Sequence, residues 1–228
     1  LGGKPFEDLA ESIRFEDVGK GRRGAVLVNC DEGAGVPIVR TTTRYIKPAH
    51  HFMAGHIKLA QKIKTAASLP LDFNNALIEC YTDRYASMGF HSDQALDLGD
   101  DTCIALFSCY KHPELKASRT LIVESKDSDG NLFEIPLHHN SVVVFSLATN
   151  RRFKHKIVLN NSENNSANEW LGITFRHSKT YIKQSEGRAC FDGGAPLLMA
   201  TEEERGQFYP LRSRENREKD FRYPKIGY

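Results

Sequence analysis

Short runs of apolar and β-branched residues alternate with polar turn residues along most of the chain. Runs of about four to eight residues with this composition predict β-strands. Gly, Asp, Ser and Asn cluster at residues 127–130 and 160–168, where they predict turns. The predicted strands are residues 24–29, 36–45, 76–81, 102–109, 119–124, 132–135, 141–145, 155–159 and 170–176.

Two segments have the period of a helix instead. Residues 50–67 carry apolar side chains on one helical face, and these are Phe52, Leu59, Ala60 and Ile63. Near the end of the sequence, Thr201 and Glu204 have the spacing of a capping box, with further acidic residues in the first turn. Residues 1–23 are polar and rich in glycine at both ends. We expect them to form a loosely ordered lead-in.

The order of these elements limits the fold class. Many short strands after one clear helix favour a sandwich or jelly roll over a parallel α/β sheet. A chain of 228 residues is long enough to bury one substantial core, so we predict a single domain. In such folds, ligand sites often lie in the mouth between the two sheets. Histidines and carboxylates on strands are therefore the residues of interest.

The net charge limits the possible binding partners, and the cysteine content limits the possible disulfides and zinc sites. The chain has 31 Lys+Arg against 29 Asp+Glu, and a net charge of +2 is too weak to indicate nucleic acid or an anionic membrane. No apolar run approaches the roughly 18 residues of a spanning helix, and no basic-then-apolar leader begins the sequence. We expect a soluble intracellular protein, cytoplasmic or nuclear. Five cysteines without a C-x-x-C pair predict reduced thiols rather than disulfides or a thiolate zinc site.

A candidate metal site starts at His91 and Asp93. In extended backbone, residues two apart point to the same face, so both side chains can reach one ion. A third ligand has to come from a neighbouring strand, and His155 is the best candidate. Two imidazoles and one carboxylate suit Fe(II), with positions left for a chelating cosubstrate and oxygen. Zinc with the same ligands is the alternative, although the chain has no H-E-x-x-H motif.

The strand predicted at residues 170–176 carries a cation for such a cosubstrate. Its residues alternate, so that Trp170, Gly172, Thr174 and Arg176 share one face. An arginine on an inward-facing strand can bind a carboxylate through two parallel hydrogen bonds. A dicarboxylate such as 2-oxoglutarate needs a group of this kind.

Three separate blocks of the sequence resemble the AlkB-like family of Fe(II)/2-oxoglutarate dioxygenases. They are residues 73–81 with 89–93, residues 137–145 with 153–155, and residues 173–176. The resemblance covers roughly residues 73–177, under half of the chain. It implies a mainly β fold with flanking helices and a double-stranded β-helix (jelly roll) core. The core would span about 73–177, between N-terminal strands and a helix (1–72) and a C-terminal helical extension (178–228).

The resemblance also implies roles for individual residues. His91, Asp93 and His155 would be the catalytic iron ligands. Tyr81 and Arg176 would contact 2-oxoglutarate, with Thr174 lining the same pocket. Fe(II) would be the cofactor, and 2-oxoglutarate and O2 the cosubstrates. Residues 40–45 are candidates for the substrate mouth, and Phe52 and the basic pair Arg151/Arg152 are further candidates.

Three positions depart from the family pattern. Glu79 stands where the family has Asn, Trp170 replaces the first Arg of the closing motif, and Gly172 replaces its Asn. An indole cannot pair with a carboxylate, so Arg176 is left to bind the cosubstrate without its usual second arginine. These departures also motivate the alternative of a non-catalytic jelly-roll binding module.

The resemblance implies hydroxylation or oxidative demethylation of a substrate. Alkylated nucleobases in DNA or RNA are the family's best-known substrates, and they must be extruded or single-stranded to be reached. A small-molecule metabolite or a protein side chain is the other substrate class, which the near-neutral charge slightly favours. We expect no membrane and no obligate protein partner. A zinc hydrolase is a third and weaker alternative.

Overall fold

The computed structural model describes residues 3–30, 33–115, 118–127, 130–160 and 168–224. Its helices are α1 (Pro5–Ala10), α2 (Ala54–Ala66), α3 (Leu147–Arg152) and α4 (Glu202–Arg217). Its strands are β1 (Glu16–Gly19), β2 (Arg22–Val28), β3 (Val36–Pro37), β4 (His50–His51), β5 (Asn75–Tyr81), β6 (Cys103–Tyr110), β7 (Arg119–Ser125), β8 (Leu132–Pro136), β9 (Ser141–Ser146), β10 (Phe153–Leu159), β11 (Trp170–Arg176), β12 (Tyr181–Ser185) and β13 (Arg188–Phe191).

The larger sheet has the strand order β1-β2-β5-β11-β6-β9, with the short β4 beside β2. Every neighbouring pair along this order is antiparallel. Helices α1 and α2 cover one face, where Leu9, Leu59 and Ile63 pack with the apolar residues of the central strands. Leu171, Ile173 and Phe175 of β11 point to this covered face, as their alternation predicts.

The opposite face of the larger sheet packs against a second antiparallel sheet, β10-β7-β8. Between the two sheets lies a cluster of buried residues that includes Tyr81, Leu106, Leu121 and Trp170. Two antiparallel sheets packed face to face confirm the predicted class, mainly β with a jelly-roll core and flanking helices. Among the candidate site residues, Arg176 is the last residue of β11 and contacts Asp93, whereas Tyr81 lies opposite Trp170, the first residue of that strand.

Three expectations from the sequence are wrong. The expected lead-in contains α1, because Phe6 and Leu9 lie on one helical face and bury themselves in the core. The strand predicted over 36–45 is limited to β3, which pairs with β12; the Thr41 hydroxyl then donates to the Thr43 carbonyl in a turn. The C-terminal extension is not only helical, since β12 and β13 form a hairpin before α4.

Other local predictions have clear outcomes. Helix α4 begins with the predicted capping box, in which Thr201 Oγ1 accepts from the Glu204 amide and the Glu204 carboxylate accepts from the Thr201 amide. The predicted turns at 127–130 and 160–168 fall largely on residues 128, 129 and 161–167, outside the described residues. Across the described part of the chain, no helix has both the length and the apolar character needed to cross a membrane.

Candidate metal centre and cosubstrate pocket

The structure brings His91, Asp93 and His155 together. His91 lies in an extended segment beside β10, where it exchanges backbone hydrogen bonds with His155 at N–O distances of 3.0 and 2.8 Å. Asp93 follows two residues later, so its side chain joins the same face. One ligand atom from each residue lies within 4.8 Å of the other two. The sequence-predicted triad therefore converges on one point.

The protonation states of His155 and Asp93 suit a divalent metal ion. Burial lowers the pKa of His155 to about 3, so its imidazole is neutral at physiological pH. Burial favours the protonated form of Asp93, but the charge and hydrogen bond of Arg176 outweigh it and lower the pKa of that carboxyl. His91 Nδ1 lies 3.0 Å from the Gly89 carbonyl, an arrangement that leaves Nε2 for a ligand. Neutral imidazoles and an ionised carboxylate are the donors that Fe(II) requires.

Side chains from distant segments hold the backbone of the 91–95 segment. The buried Asn150 of α3 accepts from the Asp93 amide (2.9 Å) and donates to the Asp93 carbonyl (2.8 Å). On α4, Asn216 accepts from the Ser92 amide (3.0 Å) and Glu215 accepts from the Ala95 amide (2.9 Å). Supporting residues of this kind orient metal ligands.

Sequence reasoning missed these supporting residues. The charged C-terminal segment has the composition of a solvated helix face, yet Glu215 is buried. Asn150 and Asn216 stand in no motif, and their contacts join residues 57 and 124 positions apart. No local pattern could have identified them.

A cavity of about 600 Å³ opens beside the triad. Its lining includes Thr174 and Arg176, the residues expected to contact the cosubstrate, together with Arg40 and Thr41–Thr43 from the segment expected at the substrate mouth. Arg176 is buried; its Nε donates to Asp93 Oδ2 at 2.9 Å and its Nη1 donates to the Arg40 carbonyl at 3.2 Å. Phe52 does not belong to this mouth, because it packs edge-on against Phe175 in the core on the other face of the sheet.

Tyr81, the other expected cosubstrate contact, lies deeper. It is fully buried, with its ring 4.5 Å from Tyr85 and 4.8 Å from Trp170 between centroids. Its hydroxyl donates to Glu79 Oε2 at 2.7 Å. Glu79, rather than Tyr81, forms the cavity wall at this level. The Tyr81 hydroxyl therefore does not line the cavity itself. The Glu79 carboxylate, which accepts its hydrogen bond, does.

Two of the departures from the family pattern are coupled. The indole of Trp170 lies over Gly172, where any Cβ would come within 2.0 Å of the ring. The indole N–H donates to Ser108 Oγ at 2.5 Å, so this polar group is satisfied although Trp170 is almost completely buried. The glycine at 172 thus makes the space that the tryptophan at 170 fills.

Comparisons with known proteins agree with this geometry. A family model described as the 2OG-Fe(II) oxygenase superfamily matches residues 27–176, which is more than half of the chain and includes the whole triad. A search of curated proteins returned no match. Members of this superfamily use Fe(II), 2-oxoglutarate and O2. The chain belongs to the 2OG-Fe(II) oxygenase superfamily.

Proposed function

We propose that this oxygenase is AlkB-like and that it hydroxylates or oxidatively demethylates its substrate with iron held by His91, Asp93 and His155. The observation that carries the proposal is the convergence of these three donors at one end of the jelly roll, beside the buried Arg176. Contacts from α4 to the 91–95 segment support one domain in which the C-terminal flank is part of the catalytic unit.

Polar and apolar residues of the pocket have different tasks in this reaction. Bound Fe(II), 2-oxoglutarate and O2 supply the oxidising power, with succinate and CO2 released as a substrate C–H bond is hydroxylated. Arg176, next to Asp93, would hold the end of 2-oxoglutarate nearer the metal, and Thr174 would line the same side. Leu106, Leu121 and Ile157 give the cavity an apolar wall that excludes water.

We propose an alkylated nucleobase as the substrate, supported by cationic and aromatic groups around the cavity. Phe90 lines the cavity beside His91, with Lys154 Nζ and Lys156 Nζ at 5.5 and 4.4 Å from its ring centroid. Aromatic rings stack on bases and lysines attract phosphates, so this combination suits a single-stranded segment. A net charge of +2 over the chain does not reveal such a local arrangement.

An adjacent groove extends this basic surface. It shares Arg40, the segment Thr41–Thr43 and Gln94 with the cavity and has a volume of about 950 Å³. Its lining carries more cations than acids, and the cations are Arg40, Arg44, Lys47, Arg205 and Arg212. A groove of this charge can follow a phosphate backbone away from the base that occupies the cavity.

A small-molecule metabolite or a protein side chain is the second candidate substrate, favoured by the near balance of 31 basic and 29 acidic residues. Succinate formation under O2 distinguishes the two classes when methylated single-stranded oligonucleotides, methylated nucleosides and metabolites are compared. We expect the oligonucleotides to stimulate turnover most, and Phe90→Ala to reduce that stimulation at least tenfold. Stimulation by metabolites alone, unchanged in Phe90→Ala, would refute the nucleobase proposal.

A further inference from the structure

One of the other cations that line the cavity, Arg22, lies at the level of the missing arginine. Arg22 of β2 lies directly opposite Tyr81 of β5, which in turn lies opposite Trp170 of β11. Arg22 therefore occupies the same level of the sheet as Trp170, two strands away. The side chain is only 17% exposed and forms part of the cavity wall. None of the sequence motifs includes this residue.

Arg22 already holds a carboxylate. Its Nε donates to Glu79 Oε1 at 2.7 Å, and its Nη2 donates to the same oxygen. The other oxygen, Oε2, accepts from the Tyr81 hydroxyl. A guanidinium and a phenol hydroxyl thus converge on one carboxylate at the wall of the cavity, which is the arrangement that an external carboxylate would need. Here the carboxylate belongs to the protein itself.

A third donor lies beside this pair. The buried Tyr45 hydroxyl has no hydrogen-bond partner among the described residues. It lies against Gly24, where a Cβ would collide with it, and Gly24 is directly opposite Glu79 in the sheet. Burying a hydroxyl without a partner is unfavourable. Tyr45 lines the adjacent groove and not the cavity, so this hydroxyl lies on the groove side of Glu79.

We propose that Arg22 binds the carboxylate of 2-oxoglutarate that is farther from the metal, and that Glu79 competes with this carboxylate for the guanidinium. A five-carbon dicarboxylate chelated at one end presents a second negative charge to the cavity. Trp170 gives that charge no partner, and Arg176 is engaged at the metal end by Asp93. Arg22 is the cation placed opposite Tyr81, and Glu79 balances its charge before the ligand arrives.

This inference rests on the proposed metal site and adds a specificity-determining pair to it. Glu79→Gln keeps the shape of the side chain but removes the competing charge, so 2-oxoglutarate should bind more tightly. Arg22→Gln removes the cation, so 2-oxoglutarate should bind more weakly. A charge-assisted hydrogen bond corresponds to a change in Kd of about tenfold to a hundredfold. The 2-oxo acid 2-oxopentanoate has the same chain length but lacks the far carboxylate. Neither substitution should change its Kd.

The test is isothermal calorimetry without oxygen, with Mn(II) in place of Fe(II), on the full chain. We expect Glu79→Gln to lower the Kd for 2-oxoglutarate about tenfold and Arg22→Gln to raise it at least tenfold. Because Arg22→Gln leaves Glu79 buried without its cation, the double variant Arg22→Gln/Glu79→Gln provides a folded comparison and should bind at least tenfold more weakly than Glu79→Gln. Lys20→Gln, which changes another cation of the cavity wall, should alter the Kd less than twofold.

The outcomes separate the two proposals. Equal Kd values for 2-oxoglutarate in wild type, Glu79→Gln and the double variant would overturn the role of Arg22 while leaving the metal site intact. A matching change in the Kd for 2-oxopentanoate would overturn it as well, because that ligand has no far carboxylate. Failure of the metal-loaded wild type to bind either 2-oxo acid would instead refute the proposed function.

Discussion

Replacing Gly172 with alanine should destabilise the protein through a single contact. The new Cβ would lie 2.0 Å from Cη2 of the Trp170 indole and 2.6 Å from Cζ3, far inside the van der Waals limit. The indole is about 1% exposed and is held by its hydrogen bond to Ser108. The ring cannot stay where it is, and moving it disrupts its packing on Tyr81.

The expected cost follows from these contacts. Overpacking a core costs about 1–3 kcal/mol, and breaking a buried hydrogen bond costs about 1–3 kcal/mol more. We expect Gly172→Ala to lose about 3 kcal/mol of unfolding free energy. For a chain of 228 residues this corresponds to a fall in melting temperature of about 6–12 °C. Trp170 is the only tryptophan, so its fluorescence follows both the displacement and the unfolding in urea.

Two comparisons make the test specific. Gly206→Ala places a methyl group in open space on α4 and should change stability by no more than about 1 kcal/mol. In a Trp170→Leu background the ring is absent, and Gly172→Ala should then cost less than about 1 kcal/mol. Because this background has no tryptophan, unfolding in urea is followed by circular dichroism in all four variants of the comparison. An equal cost of Gly172→Ala in both backgrounds, or no cost in either, would refute the coupling of the two residues.

The remaining predictions concern the supports of the site and the titration of buried groups. Asn150→Ala leaves the amide and carbonyl of Asp93 without partners and should weaken Mn(II) binding about tenfold to a hundredfold, measured by calorimetry; unchanged affinity would contradict this. Burial lowers the pKa of Lys126 from 10.5 to about 8. Between pH 8 and pH 10.5 this side chain is therefore protonated in the unfolded chain and neutral in the folded protein. Stability of the wild type relative to Lys126→Met should therefore rise from pH 8 to pH 10.5 in urea titrations, and a flat difference would contradict it. Burial raises the pKa of the Cys80 thiol to about 12 and also raises that of Cys109. Iodoacetamide at pH 8 should modify both only after unfolding, as mass spectrometry of their peptides would detect.

The strands and the triad could be predicted because their signals are local. The two-residue period of a strand is enough to predict which side chains of β11 share a face. The structure places Leu171 and Ile173 on one face and Trp170, Gly172 and Thr174 on the other. The spacing of His91 and Asp93 depends on the same period. His155 could be predicted from its place at the start of a strand and from the order of the sequence blocks that resemble the AlkB-like family.

Other features depend on pairing between distant segments. Arg22 meets Glu79 because β2 and β5 are neighbours in a particular register, which no pattern within either strand specifies. Residues 36–45 are rich in β-branched side chains, yet β3 ends after Pro37 because strand pairing, rather than propensity, decides where a strand continues. The support of Ala95 by Glu215 is likewise visible only in three dimensions.

The central claim is that His91, Asp93 and His155 hold Fe(II) so that 2-oxoglutarate can chelate it. Anaerobic addition of Fe(II) and then 2-oxoglutarate tests this claim through the visible charge-transfer absorbance of an iron–2-oxo acid chelate. His91→Ala is the matched variant, because its side chain is 27% exposed, whereas Asp93→Ala would leave the buried Arg176 without its carboxylate. We predict the absorbance in the wild type and its loss in a folded His91→Ala protein. Its absence from folded wild-type protein, or its persistence in His91→Ala, would contradict the account.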